Sequence, residues 1–163
     1  MTHNRNTENR KQKTQNIPGR GVVVANGCHR FHLYQAALAY QAAGLLRHLL
    51  TGWYVRPGGL AQRLLQSATA RRLLGDSLVK RLLARRQEGL DPGRVVSLLL
   101  PDCLERLGRG RLERLAPPGF FSYCSMRAFG QRSQPYVLDA AVFHVRSGYG
   151  RGAMEQAKRR GAV

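Results

Sequence analysis

Residues 142–152 read Val142-Phe143-His144-Val145-Arg146-Ser147-Gly148-Tyr149-Gly150-Arg151-Gly152. The first four form a short apolar run of β-branched and aromatic side chains, the composition of a buried strand. The glycines that follow let the backbone turn sharply and approach a ligand with no Cβ between them. From Ala153 to Arg160 the sequence predicts a helix, with basic residues in its last turn and Gly161 as its stop. A strand, a glycine-rich turn and a helix in that order aim free N–H groups at whatever lies over the turn, and anions are favoured there. Gly-x-Gly-x-Gly is not the dinucleotide fingerprint Gly-x-Gly-x-x-Gly, so on this segment alone an ordinary βα turn is the simpler reading.

Upstream, Gly21-Val22-Val23-Val24-Ala25 is a continuous apolar run, as expected for a strand covered on both faces of a parallel sheet. Asn26-Gly27-Cys28-His29-Arg30 is the turn after it. A helix is expected from Phe31, with Leu33, Ala36, Ala37, Tyr40 and Ala43 three and four apart and Gly44 as its cap. Leu45 to Gly52 supplies a second strand, which completes a βαβ unit. A third strand is expected at Val95-Val96-Ser97-Leu98-Leu99-Leu100, ended by Pro101 and followed by short helix from Asp102 to Leu115. Phe120 to Arg132 mixes aromatic and polar residues without a clear period.

Between the second and third strands, Leu60 to Glu88 predicts one or two basic amphipathic helices interrupted near Gly75-Asp76. Leu60, Leu64, Leu74, Leu78 and Leu82 recur at helical spacing, and Arg63, Arg71, Arg72, Lys80, Arg81, Arg85 and Arg86 occupy other positions. A buried leucine stripe with solvated charge outside it is the commoner arrangement. A helix lying on an anionic membrane is the other.

The chain has 163 residues, 43% of them hydrophobic, which suits one domain. Its net charge of +18 comes mostly from arginine and favours phosphate-bearing partners without choosing among nucleic acid, anionic lipid and nucleotide. Residues 1–20 carry almost nothing to bury and are expected to form a disordered basic tail. No run approaches the roughly 18–20 apolar residues that cross a bilayer, and the amino terminus lacks the apolar core of a secretory signal. Cys28, Cys103 and Cys124 have neither the number nor the spacing of a disulfide framework or zinc knuckle, so free thiols in a reducing cytosol are expected. His29 and His32 share a turn with Cys28, but no further ligand completes a metal set, and no metal is expected. His29 reads either as a proton acceptor for a hydroxyl or as a solvated turn histidine. Nothing resembles a helix-turn-helix, a zinc finger or an aromatic RNA-binding sheet, so nucleic acid is not the favoured partner.

Three pieces in order resemble bacterial glycosyltransferases of the GT-B fold, of the retaining, nucleotide-sugar-dependent kind (family 4-like, group 1). The first is Ala25-Asn26-Gly27-Cys28-His29-Arg30-Phe31-His32 with its Ala-rich helix and Gly44-Leu45-Leu46…Thr51-Gly52-Trp53-Tyr54. The second is Leu90-Asp91-Pro92-Gly93-Arg94-Val95…Leu100-Pro101…Leu104. The third is Val142-Phe143-His144-Val145…Ser147-Gly148-Tyr149-Gly150, followed by Ala157-Lys158-Arg159-Arg160-Gly161-Ala162. The resemblance implies an α/β, Rossmann-like parallel sheet flanked by helices over residues 21–163, the acceptor-side half of such an enzyme. It implies transfer of a hexose from a UDP- or GDP-sugar to a hydroxyl in polysaccharide or glycolipid synthesis, with the nucleotide sugar as substrate and no cofactor.

The resemblance places His29 and His144 as catalytic residues, and Gly27, Cys28, Arg146, Ser147, Gly148 and Tyr149 as substrate-binding ones. Arg146 stands where many relatives carry a second histidine, which favours a phosphate contact there over proton transfer. The donor-binding domain would begin beyond Val163, so a separate donor-domain chain is an expected partner and the chain alone is expected to be inactive. Glu105 and Glu113 have the spacing of the family's glutamate pair but lack the donor-domain strand before them, and are expected to be unrelated to it. A cytoplasmic location follows, with peripheral attachment to the inner face of the membrane as an option.

Overall fold

The first strand, β1 (Val22–Gly27), is buried along its whole length, as its unbroken apolar run predicts. It lies inside a four-stranded sheet with β2 (Leu46–Thr51), β3 (Val95–Ser97) and β4 (Val142–Val145), in the order β3-β2-β1-β4. Every pairing is parallel. The computed structural model describes residues 21–28, 33–85, 87–108, 114–146 and 148–163. The tail expected over residues 1–20 lies outside them.

Alternation along the strands sorts side chains onto two faces. Val22, Val24, Leu46, Leu49 and Val95 pack on Tyr34 and Ala37 of α1 (Leu33–Ala42). Val23, Ala25, Leu50 and Phe143 pack on Phe129 of α6 (Phe120–Ser133) and on Ala153 and Ala157 of α7 (Arg151–Arg159). Burying a side chain such as Phe129 contributes roughly 2–3 kcal/mol. Helices on both faces and β1 between β2 and β4 make this an open, doubly wound α/β sheet. Val163 lies along the outer edge of β4: its N–H donates to the Ala141 carbonyl at 3.0 Å, and its carbonyl accepts from the Phe143 N–H at 3.1 Å.

α1 ends where the sequence says it should. Gly44 takes φ +71°, which is cheap only for glycine. The N–H of Leu45 then reaches the Tyr40 carbonyl at 2.8 Å, and that of Gly44 reaches Gln41 at 2.9 Å, closing the helix. α7 ends in the same pattern around Gly161.

Three segments differ from expectation. The third strand stops at Ser97, and α5 (Leu99–Leu107) begins within the apolar run. Pro101 sits in its first turn, where no N–H is needed, so it starts a helix rather than ending a strand. Residues 120–133, without a clear period in the sequence, form the 14-residue α6. Its buried positions are Ser125, Phe129, Gly130 and Ser133. The two serines are satisfied inside the protein, donating to the carbonyls of Pro101 and Phe129, each at 2.8 Å. Small side chains also let α6 approach α7 closely at Gly130 and Gly152.

The third difference is the basic segment, which forms three helices: α2 (Leu60–Gln66), α3 (Ala68–Leu74) and α4 (Asp76–Leu83). Ser67 adds a break, accepting from the Ala70 N–H at 3.2 Å as the N-cap of α3. The predicted leucine stripe is buried only at its end. Leu82 is inside and Leu78 packs against the cluster, but Leu60, Leu64 and Leu74 are exposed. The core of this small unit is instead Val55, Leu65, Val79 and Leu82, with Trp53 against it.

Candidate functional site

Winding direction changes beside β1: α1 covers one face, while α6 and α7 cover the other, and in such sheets a crevice opens beyond the carboxyl ends of the strands. Ala25 pairs with Val145 across β1 and β4, and the Arg146 N–H donates to the Ala25 carbonyl at 3.3 Å. The Gly52 N–H donates to the Gly27 carbonyl at 2.9 Å, which brings the tip of β2 into the same place. Gly27, Cys28, Arg146, Gly148 and Tyr149 therefore come from two adjacent strand tips. His29 and Ser147 lie outside the described residues, as do His32, Arg86 and Glu113.

Tyr149 closes the floor between the two turns. Its ring is buried and meets Phe129 edge-on at 5.8 Å. A Cβ on Gly27 would stand 2.8 Å from Cγ of that ring, and Gly27 also takes φ +73°. The glycine is thus required by the chain's own aromatic side chain. Gly150 is constrained in the same way, since a Cβ there would fall 2.5 Å from Cγ2 of Val145.

Cys28 is 2% exposed. Its Sγ lies 3.5 Å from Oγ of Ser125, whose hydroxyl donates to the Pro101 carbonyl. Burial pushes the thiol up to about 11, and the nearby Asp102 and Glu105 carboxylates add to this against the opposing effects of Ser125 and Arg85. Cys28 stays protonated at neutral pH, so it is a packing group with a weak donor rather than a nucleophile.

His144 lies one residue inside the tip of β4. It pairs with Val24, and its ring meets Tyr40 of α1 edge-on at 6.1 Å. Nδ1 is 3.4 Å from the Tyr40 hydroxyl. The side chain thus sits on the α1 side of the sheet, whereas Tyr149 and Cys28 belong to the α6–α7 side.

Sequence reading missed Asp102. This carboxylate is buried beside the β1 and β2 tips: a Cβ on Gly52 would be 3.1 Å from its Oδ1 and 3.2 Å from Cα of Cys28. Oδ1 accepts from Arg85 at 2.5 Å and Oδ2 from Arg106 at 2.8 Å. The carboxylate ties the end of the α2–α4 unit and α5 to the tips of β1 and β2. The spacing to Arg106, four residues on in the same helix, was a legible signal; the pairing with Arg85 was not.

A groove of about 370 Å³ runs beside the turn after β4, between α6 and α7, lined by Tyr123, Met126, Arg127, Gln131, Gln134 and Gly148 among others. Its volume falls at the lower end of the range of small-molecule sites. Of the predicted substrate-binding residues that are described, Gly148 lines it. Among the described residues no three His, Cys, Asp or Glu side chains gather as metal ligands.

Compared with family models, curated proteins and solved structures, the chain matches none.

Proposed function

We propose that residues 21–163 form the acceptor-side, Rossmann-like domain of a GT-B type glycosyltransferase, which moves a hexose from a UDP- or GDP-sugar to a hydroxyl. The donor nucleotide belongs to a second domain facing this one. The observation that carries the reading is the pairing of Ala25 with Val145, which sets the turns at Gly27-Cys28 and Arg146-Tyr149 side by side. These two turns bear the resemblance in the sequence, and adjacency is what a shared crevice requires.

In this reading the crevice holds the acceptor hydroxyl against the anomeric carbon, so that transfer becomes effectively unimolecular. The bond from that carbon to the diphosphate breaks, the hydroxyl oxygen takes its place, and the hydroxyl proton leaves toward a base or the departing phosphate. Fixed backbone dipoles at the strand tips stabilise the developing charge. Cys28, held as a neutral thiol, forms no covalent intermediate. His144 fixes β4 against α1 through Tyr40, and of the two histidines that the resemblance names as catalytic this leaves His29 as the proton acceptor.

The purified chain is incubated with methyl hexosides and radiolabelled UDP- or GDP-hexose at physiological salt. Saturable acceptor binding with negligible transfer until a donor-binding domain is supplied is the expected result. Robust transfer by this chain alone would overturn the half-site assignment. No sugar binding, with steeply salt-dependent binding to random duplex DNA, would place the chain among basic nucleic-acid-binding proteins instead.

A further inference from the structure

The fold leaves four large apolar side chains of α2 and α3 in water. Leu60 is 76% exposed, Leu64 68%, Leu73 79% and Leu74 45%. Leu60 and Leu64 are one turn apart on α2, whose one buried residue is Leu65, and α3 buries none of its residues. Arg63, Arg71 and Arg72 on the same two helices are exposed as well. From Gly52 to Gly75 the chain contains no aspartate or glutamate. Single exposed leucines need no explanation, but four on consecutive helices, among exposed arginines and with no acid between residues 52 and 75, call for one.

We propose that α2 and α3 form a docking surface for a bilayer with anionic headgroups. The leucines enter the boundary between headgroups and acyl chains, and the arginines meet lipid phosphates. Both halves of the pattern are then satisfied. A nucleic-acid backbone would account for the arginines and leave the leucines in water. A second copy of this chain is disfavoured because each carries a net charge of +18. Among the described residues no helix is long and apolar enough to cross a membrane, so the contact is one of lying on the surface. The unit is anchored through Trp53 and Val55, just after the carboxyl end of β2, the same end of the parallel sheet as the turns at Gly27 and Gly148. The proposal requires no nucleotide sugar and stands or falls separately from the transferase reading.

The test is sedimentation of the full chain with sucrose-loaded vesicles of phosphatidylcholine, with and without phosphatidylglycerol. One variant carries Leu60→Ser, Leu64→Ser and Leu73→Ser; another carries Arg63→Gln, Arg71→Gln and Arg72→Gln. All six side chains are exposed, so both variants should keep the wild-type urea midpoint. The wild type is expected to pellet with the phosphatidylglycerol vesicles and stay in solution with phosphatidylcholine alone. The arginine variant should bind on the order of a hundredfold more weakly, about fivefold per charge. The leucine variant should also bind more weakly, and what remains should vanish in high salt. Three outcomes overturn the proposal: no pelleting of the wild type, full binding by the leucine variant, or full binding by the arginine variant. The last two would assign any attraction to charge elsewhere in the chain.

Discussion

Replacing Gly27 by alanine tests how tightly the tips of β1 and β4 are locked together. Two costs add. A residue with a Cβ at φ +73° carries a strain of about 1–2 kcal/mol. The new methyl would also stand 2.8 and 2.9 Å from Cγ and Cδ1 of Tyr149. That ring is buried against Phe129 and has little room to retreat, so overpacking adds about 1–3 kcal/mol. Gly44→Ala is the matched control, because its φ is +71° with nothing within 4 Å of the added Cβ. It should cost the strain alone. Urea unfolding followed by the single tryptophan, Trp53, should therefore rank Gly27→Ala about 1–3 kcal/mol below Gly44→Ala. In a Tyr149→Ala background the added cost of Gly27→Ala should fall to the Gly44→Ala value. Equal costs for the two glycines, or full additivity with Tyr149→Ala, would refute the packing of Tyr149 over Gly27.

Three further outcomes follow from the same geometry. At pH 8 a thiol reagent should modify exposed Cys103 first and half-buried Cys124 more slowly, while Cys28, buried and with its thiol raised to about 11, should react only on unfolding; rapid modification of all three would contradict its burial. His48 of β2 is shifted below its ordinary value of 6.5 by burial, with Arg47 and Arg94 adding to the effect. The unfolded chain takes up that proton first as pH falls through 6.5, so this contribution to stability is whole above 6.5 and lost below it; His48→Gln should flatten that part of the pH profile of the thermal midpoint. Asp102→Asn should destabilise by about 2–3 kcal/mol in urea unfolding, less than the 3–5 of a fully buried pair because Arg85 and Arg106 reach water, and more than Arg106→Gln.

What was legible in the sequence was what a single local rule decides. The apolar runs at Val22–Ala25 and Val142–Val145 needed only burial to become strands, and Gly44 and Gly161 needed only φ space to end helices. What was hidden depended on partners far along the chain. α6 shows no hydrophobic period because three of its four buried residues are Ser125, Gly130 and Ser133, which permit close approach to its neighbours, and only Phe129 supplies a large apolar side chain. Asp102 looks like an ordinary first-turn acid until Arg85 and the strand tips surround it. Leu98-Leu99-Leu100 extends an apolar run that could serve strand or helix equally, and Pro101 decides for the helix. Of the candidate site, the two turns were each legible as βα turns. But βαβ topology pairs β1 with β2 only, and the adjacency of β4 to β1 depends on a crossover that no local rule decides. The role of Tyr149 as the floor between them was not legible either, because an aromatic in a glycine-rich turn reads as well for ligand contact as for packing.

The central claim is that the tips of β1 and β4 form one crevice that receives a sugar hydroxyl. Titration of uniformly nitrogen-15-labelled protein with methyl hexosides, read as amide chemical shifts, addresses it directly. The account predicts saturable shifts at Gly27, Cys28, Arg146 and Gly148, with a common binding curve, and none over Leu60–Leu74. Shifts that do not saturate, or that avoid both strand tips, would contradict it.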